Sequence, residues 1–168
     1  MASSELLRVF SALEQARVRY LVVGGVAVVL HGHLRVTADL DLVVDLEPTN
    51  ARAAVAALAA ADYRPRAPVP LEQFAEASIR QSWIADKGLT VFSLWSPSSP
   101  GTEVDLFVRE PFVFATCYAR AVMVELEGVT VPVIGLSDLI ALKRAAGRAK
   151  DLQDADALAA ILEEDQHG

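Results

Sequence analysis

The sequence predicts a single α+β domain in which a mixed β-sheet is flanked by helices. Short apolar or alternating segments, typical of strands, are interspersed with segments in which apolar residues recur at helical spacing. Hydrophobic residues make up 53% of the 168 residues, which favours a packed core over a disordered chain. Because no repeat or low-complexity linker divides the chain, we expect residues 1–168 to form one domain.

The first half of the chain predicts helices and strands in alternation. Apolar residues recur at helical spacing near the N-terminus, and further on acids alternate with aliphatic residues as in a strand with one wet face. The predicted elements are a helix from Glu5 to Ala16, a buried strand from Tyr20 to Val23, one or two helical turns from Val26 to His31, a strand from Asp39 to Asp45, and an alanine-rich helix from Pro48 to about Ala61.

The second half predicts a proline-rich loop at residues 64–70, followed by a helix, two strand pairs and two C-terminal helices. Residues 112–119 favour neither a helix nor a strand, and Ser137 is the predicted cap of the first C-terminal helix. The predicted elements are a helix from Glu72 to Asp86, strands from Thr90 to Trp95 and from Glu103 to Val108, a hairpin of Ala121 to Leu126 and Val129 to Ile134, and C-terminal helices within residues 137–164.

Charge and composition exclude several classes of protein. The net charge of −7 argues against a broad nucleic-acid surface, since binding to phosphates depends on Lys and Arg, but it leaves room for a local basic pocket. Cys117 has no partner for an internal disulfide, which favours a reducing compartment. The N-terminus lacks the pattern of a signal peptide, and no apolar run approaches the ~20 residues of a membrane helix. We therefore expect a cytoplasmic protein without membrane segments.

Gly24 and Gly25 lie between a predicted strand and a predicted helix. Without a Cβ, their backbone can approach a ligand closely, and N–H groups beside a helix N-terminus suit phosphate. A tight turn is the alternative interpretation of the pair.

Two aspartates in the following strand are candidate metal ligands. Asp39 and Asp41 are two residues apart, so their carboxylates project from the same face of the sheet, while Leu40 and Leu42 face the core. Carboxylates this close repel each other unless a cation lies between them. Mg²⁺ prefers hard oxygen ligands and commonly combines one or two carboxylates with substrate phosphates. The alternative is a solvated pair at an exposed strand end.

A second strand repeats the pattern at Glu103 and Asp105. Both face away from the buried Val104 and Leu106, so by periodicity alone either is a candidate for a third carboxylate. Such a group can bind a second metal ion and accept the proton of an attacking hydroxyl.

Four basic residues cluster near the C-terminus: Lys143, Arg144, Arg148 and Lys150. On one continuous helix Lys143 and Lys150 would share a face, whereas a helix end at Gly147 would separate the pairs. A solvated surface that balances Asp151 and Asp154 is the alternative to a phosphate-binding role.

Taken in order, these motifs resemble the nucleotidyltransferase superfamily, and most closely its small branch of AbiEii-like toxins and related nucleotidyltransferases. The resemblance covers about residues 18–160 and implies a nucleotidyltransferase-like mixed sheet flanked by helices. The motifs that carry it are GG at 24–25, RxTxDxD at 35–41, EVDL at 103–106, LIALK at 139–143 and GRxKDLxD at 147–154.

The resemblance also implies roles for individual residues. It implies that Gly24 and Gly25 hold the triphosphate, and that Asp39 and Asp41 bind Mg²⁺, or Mn²⁺ in its place. It makes Asp105 rather than Glu103 the third catalytic and metal-binding carboxylate. Further residues are implied to bind the nucleotide or support its site: Arg35, Thr37 and Lys143.

The expected activity is transfer of a nucleoside monophosphate from an NTP such as ATP to an acceptor hydroxyl on RNA, a protein or a small molecule. An RNA acceptor would suit the toxin of a toxin–antitoxin pair, with an antitoxin as partner. The alternative is a non-catalytic nucleotide-binding or antitoxin-like module that retains the fold. Clustered carboxylates without a metal are costly, which favours the enzyme.

Overall fold

The computed structural model describes residues 3–168, so the prediction for residues 1 and 2 lies outside the described residues. The strands are β1 (Tyr20–Val23), β2 (Asp39–Val44), β3 (Arg64–Pro65), β4 (Val91–Trp95), β5 (Glu103–Phe107), β6 (Val122–Leu126) and β7 (Val129–Val133). The helices are α1 (Ser3–Gln15), α2 (Gly24–Leu30), α3 (Pro48–Ala60), α4 (Ala77–Lys87), α5 (Phe114–Ala119), α6 (Leu136–Ala146) and α7 (Ala149–His167), with a 3-10 helix at Leu71–Ala75.

All the strands join one mixed sheet in the order β3-β4-β5-β2-β1-β7-β6. The pairs β2–β5 and β1–β7 are parallel, whereas β1–β2, β3–β4, β4–β5 and β6–β7 are antiparallel. This arrangement confirms the predicted α+β fold with a mixed sheet flanked by helices.

Helices cover both faces of the sheet. Leu42, Leu106 and Phe92 follow one another across β2, β5 and β4 on one face. Phe92 stacks on Phe74 of the 3-10 helix and on Trp83 of α4, with ring centroids 5.9 and 4.8 Å apart, which places those helices on that face. The opposite face carries Asp41 and Asp105 and is approached by α2 and α6. The sheet thus separates an apolar layer from a layer with titratable groups.

The predicted helix from Glu72 to Asp86 is interrupted, which corrects that prediction. Glu76 adopts an extended conformation (φ −97°, ψ 115°) between the 3-10 helix and α4. The break leaves the Phe74 carbonyl without a helical partner, and Arg80 Nη1 donates a hydrogen bond to it at 2.6 Å. Helical periodicity continues through such a break and so does not reveal it.

Two further boundaries differ from the sequence prediction, and one segment that the sequence left unassigned forms a helix. The loop at 64–70 begins with the two-residue strand β3, where Pro65 is tolerated because β3 is an edge strand. Residues 112–119 contain α5. Gly135 rather than Ser137 is the N-cap of α6, since the chain already turns at the glycine, where a Cβ would lie 3.0 Å from the Arg120 carbonyl oxygen.

The remaining predicted elements agree with the structure to within a few residues. In the hairpin of β6 and β7, Glu127 and Gly128 both have positive φ, 47° and 85°, as a tight hairpin turn requires. Within the described residues, no helix combines the length and the apolar character needed to span a bilayer.

Candidate active site

The predicted carboxylates lie side by side on the two central parallel strands. In the β2–β5 register Asp41 is opposite Asp105 and Asp39 is opposite Glu103. All four therefore project from one face of the sheet, as the period of two predicts. The pairing across strands, which the local sequence does not contain, brings the two motifs together.

Gly24 is in direct contact with Asp41. Val23 at the end of β1 pairs with Asp41, so the chain turns into α2 beside that carboxylate. Gly24 has φ +66°, and a Cβ there would overlap the Asp41 side chain, with Cγ only 2.8 Å away. Both the conformation and the contact therefore require glycine.

Gly25 packs against the polar pair that precedes β2. A Cβ at Gly25 would lie 2.9 Å from Thr37 Cβ and 3.0 Å from Arg35 Nη2. The intervening loop alternates, with Leu34 and Val36 82% and 90% exposed, so Arg35 and Thr37 turn inward. The glycine pair is more than a tight turn, because the structure gathers Asp41, Thr37 and Arg35 around it.

Two of these carboxyl groups have unusual protonation equilibria. Burial raises the pKa of Asp41 to about 7, with further raising by the charges of Asp105 and Asp39, while Lys143 and Arg148 oppose the rise. Burial also raises the pKa of Asp105, against a lowering by Ser93, its cross-strand neighbour on β4. Both pKa shifts therefore come first from burial and second from the charges of neighbouring carboxylates.

Asp105 and Glu103 differ in their partners. Asp105 Oδ1 is buried and accepts no hydrogen bond within the described chain. Glu103 Oε1 accepts a hydrogen bond from Arg66 Nε at 2.6 Å and forms an ion pair with the same guanidinium. Glu103 is thus engaged by Arg66, whereas Asp105 keeps an unused oxygen beside Asp41.

The donor set fits a hard divalent cation. Hard carboxylate oxygens, a buried oxygen without a partner and raised pKa values are what a site for Mg²⁺ or Mn²⁺ would show before the ion binds. Among residues 3–168, however, no three His, Cys, Asp or Glu side chains already form a cluster arranged for a metal ion. Joint binding of metal by Asp39, Asp41 and Asp105 therefore stays a prediction.

Lys143 reaches this face of the sheet from α6, but its charge is already paired. It is 8% exposed, and its Nζ lies 3.3 Å from Asp151 Oδ1 and 3.0 Å from Asp154 Oδ2. Arg35 Nη2 donates to Asp154 Oδ2 at 2.9 Å. Both aspartates are 2% exposed, which excludes the alternative that they form a solvated surface with the basic cluster.

Lys143, Arg35, Asp151 and Asp154 form an ion network. The other basic residues of the predicted cluster lie outside this ion network or at its edge. Gly147 (φ +71°) ends α6, so of the two arrangements that the sequence left open, the separated pairs are the one observed. Arg144 and Lys150 are exposed. Arg148 donates from Nε to Asp151 Oδ2 at 2.7 Å, although its own side chain is 81% exposed.

Arg66 and Ser93 shape the site but were not identified from the sequence, and Asp151 and Asp154 were identified there only as the acids of a solvated surface. The three-residue spacing of Asp151 and Asp154 on α7 was a usable signal, since it places both acids on one helix face. Arg66 and Ser93 gave no signal, because their contacts depend on the pairing of β4 and β5.

Solved structures of other proteins share the fold of this chain. The lincosamide antibiotic adenylyltransferase LnuA, in its lincomycin-bound form, aligns with a TM-score of 0.62 at 16% identity over 96% of this chain and 98% of its own. A putative nucleotidyltransferase from Thermotoga maritima aligns with a TM-score of 0.58 at 16% identity over 98% and 96%. An antigenic nucleotidyltransferase-like protein from Paracoccidioides brasiliensis gives 0.57 at 17% over 95% and 75%. The chain thus has the nucleotidyltransferase fold.

Family membership is more specific. Residues 4–165 match the family described as "Nucleotidyltransferase of unknown function (DUF6036)", and the chain belongs to that family. No protein of curated function matches the chain. The predicted relationship to the nucleotidyltransferase superfamily is confirmed.

Proposed function

We propose that this protein transfers a nucleoside monophosphate from an NTP to an acceptor hydroxyl and requires Mg²⁺ or Mn²⁺. The proposal depends above all on the register that sets Asp41 opposite Asp105 beside the Gly24 backbone. A carboxylate with a raised pKa next to a buried oxygen without a partner is typical of a binding or catalytic site.

Asp39, Asp41 and Asp105 would hold the metal. When bound, the ion would offset their negative charge and that of the nucleotide phosphates. The glycine pair would admit the triphosphate, since neither Gly24 nor Gly25 has a Cβ to block it.

Asp105 is assigned the role of general base. Its Oδ1 would accept the proton of the acceptor hydroxyl as that oxygen forms a bond to the α-phosphorus. The bond between the α-phosphorus and the bridging oxygen breaks, and pyrophosphate leaves. Arg66 donates a hydrogen bond to Glu103 and pairs with its charge, so Asp105 is the better candidate for accepting the proton.

Lys143 is assigned the role of a hydrogen-bond donor to a phosphate of the nucleotide. An ammonium group has three N–H donors, and the neighbours Asp151 and Asp154 occupy two directions around Nζ. One donor remains for the phosphate. Arg35 and Thr37 would support the site through their packing against Gly25.

The acceptor divides the proposal into three testable cases: a small molecule, a protein or RNA. The neighbour LnuA is described as an antibiotic adenylyltransferase with bound lincomycin, so ATP and small hydroxylated molecules are the first pair to test. An RNA acceptor would support a toxin role with an antitoxin as partner.

The competing proposal is a non-catalytic nucleotide-binding or antitoxin-like module. It gives no reason for keeping Asp105 Oδ1 buried without a partner, which costs free energy in a purely structural role.

The decisive experiment is incubation with each labelled NTP, Mg²⁺ and a cell extract, followed by separation into RNA, protein and small molecules. Wild type should label one fraction, and the double variant Asp39→Asn, Asp41→Asn should label none. Thermal unfolding with Mg²⁺ and NTP should show stabilisation of wild type but not of the double variant, because a ligand that binds only the folded state stabilises it. Nucleotide binding by wild type without label transfer would instead establish the non-catalytic module.

A further inference from the structure

A cavity of about 750 Å³ lies away from the acidic carboxylates, between α4 and the segment that follows β5. Its lining includes Leu46 and Val108, which follow the C-terminal ends of β2 and β5. Val44, the last residue of β2, is three residues beyond Asp41, which corresponds to roughly 10 Å at about 3.3 Å per strand residue, and Leu46 lies two residues further along the chain. The cavity, called the Arg80 cavity below, is therefore separate from the candidate active site.

Arg80 brings a buried charge to this cavity. Its side chain is 6% exposed, and its one hydrogen bond within the described chain runs from Nη1 to the Phe74 carbonyl at 2.6 Å. The guanidinium also lies over the Phe74 ring, 5.6 Å from the centroid. A guanidinium has five N–H donors, so most of its donors remain available.

None of the ion pairs among residues 3–168 involves Arg80. Glu110 also lines the cavity, but its Oε1 accepts the backbone N–H of Leu46 at 3.2 Å. Burial lowers the pKa of Arg80, and the charge of Glu110 opposes this lowering. A buried cation without a paired anion is costly in a folded protein unless a ligand supplies the anion.

The rest of the lining is largely apolar. Leu46, Ile84, Val108 and Phe112 contribute to its walls, and Arg109 adds a second, exposed cation. A volume of about 750 Å³ lies within the usual range of small-molecule pockets, which are apolar with a few polar groups that fix orientation.

We propose that the Arg80 cavity binds a small amphipathic monocarboxylate, with the carboxylate on Arg80 and the hydrocarbon part against Leu46, Ile84 and Phe112. The planar fork of arginine matches the two oxygens of a carboxylate. Glu110 on the same lining repels a second negative charge, so a monoanion is preferred to a phosphate dianion. This site is independent of the proposed transferase activity.

The test compares three probes with the same chain length: octanoate, octanol and octyl phosphate. Isothermal titration calorimetry on wild type should show binding of octanoate, with octanol weaker by at least about tenfold because it lacks the anion. Octyl phosphate should bind more weakly than octanoate. Equal affinity for octanol and octanoate would overturn the assignment of Arg80 as the anion partner.

Two variants separate the site from general effects on folding. Arg80→Lys keeps the charge but loses the fork, and octanoate should bind at least about tenfold more weakly. Ala85→Phe should abolish octanoate binding by filling the cavity that Ala85 lines. Its matched control is Ala160→Phe, at an exposed position on α7, which should bind octanoate like wild type.

Ala85→Phe tests the proposed site even if Arg80→Lys does not fold, because this variant removes no contact of Arg80. Unchanged octanoate affinity in Ala85→Phe would overturn the proposal, as would the lack of octanoate binding to wild type at millimolar concentration. Label transfer by Ala85→Phe should match wild type, so failure of this site and failure of the proposed transferase activity are distinguishable.

Discussion

Two pairs of aspartates in this protein differ both in burial and in partners. Asp151 and Asp154 are each 2% exposed, whereas Asp41 and Asp105 are half-buried. Asp41 and Asp105 lie opposite each other on neighbouring strands, neither forms an ion pair with a basic side chain of residues 3–168, and burial raises the pKa of both. Burial would also raise the pKa values of Asp151 and Asp154, but hydrogen bonds from basic side chains outweigh it and lower both pKa values.

The difference shows that partners, rather than burial, determine what a shielded carboxylate does. Asp151 and Asp154 have Lys143 between them, so their charge is already balanced within the fold. Asp41 and Asp105 leave their charge unbalanced, which suits a metal ion or a proton. We infer that Asp151 and Asp154 have a structural role, whereas Asp41 and Asp105 are suited to the proposed ligand binding and catalysis.

The largest expected effect concerns Asp105. If it is the general base, Asp105→Asn should reduce the rate of label transfer by about 10²–10⁴-fold while NTP binding is largely retained. The matched control is Glu103→Gln on the same strand face, which should keep most activity because Glu103 pairs with Arg66. Single-turnover rates and NTP affinities measure both variants. Full activity of Asp105→Asn together with loss in Glu103→Gln would transfer the role to Glu103.

The structural pair should show its effect in stability. Asp154→Ala leaves Arg35 without its carboxylate partner and Lys143 with Asp151 alone, and should lower the free energy of unfolding by about 3–5 kcal/mol. Urea denaturation measures this loss. Asp156→Ala, at an exposed position on the same helix, is the control and should change stability by less than about 0.5 kcal/mol. A loss of similar size in both variants would mean that the ion network is not the cause.

The two pairs should also respond to pH with opposite sign. Asp41 has a folded-state pKa of about 7, above the ordinary aspartate pKa of 3.8, so its contribution to stability is present at acid pH and is lost as the pH rises towards 7. Asp41→Asn removes that loss. In EDTA at pH 8 it should be more stable than wild type by about 2 kcal/mol, a value reduced for partial solvent screening. The gain should shrink towards pH 4.

Asp154→Asn should give the reverse trend. Because the folded-state pKa of Asp154 is lowered, wild type gains stability above the unfolded-state pKa and loses it as the pH falls. The advantage of wild type over this variant should therefore be largest at neutral pH and decline in acid. Urea midpoints across a pH series measure both trends, and parallel slopes for the two variants would contradict the distinction between the pairs.

The smallest expected effect is at the edge of the ion network. Arg148 pairs with Asp151, but 81% of its side chain is exposed, so Arg148→Ala should cost only about 0.2–1 kcal/mol. The cost should fall at high salt, since exposed charges are screened. Thermal unfolding at low and high salt measures this. A loss as large as that of Asp154→Ala would show that the paired aspartates depend on Arg148 as much as on Lys143.

The sequence by itself determined which residues form most elements and which way their side chains face. Alternation was enough to put Asp39 and Asp41 on one face of β2 and to set Asp105 on the face of β5 opposite to Val104 and Leu106, and the glycine pair marked the turn before β2. These features are local, since side-chain direction in a strand follows a period of two residues. The mixed α+β fold followed from the order of such local patterns.

Only the tertiary structure decided which charges are paired. Glu103 and Asp105 have the same local pattern, yet Arg66, 37 residues away, engages only Glu103. The partners of Lys143 and the buried position of Arg80 likewise depend on how α7 packs on α6 and on the break before α4. Strand order and helix packing bring together groups far apart in the chain, and the free energy of a charge depends on the groups and solvent around it rather than on its sequence neighbours.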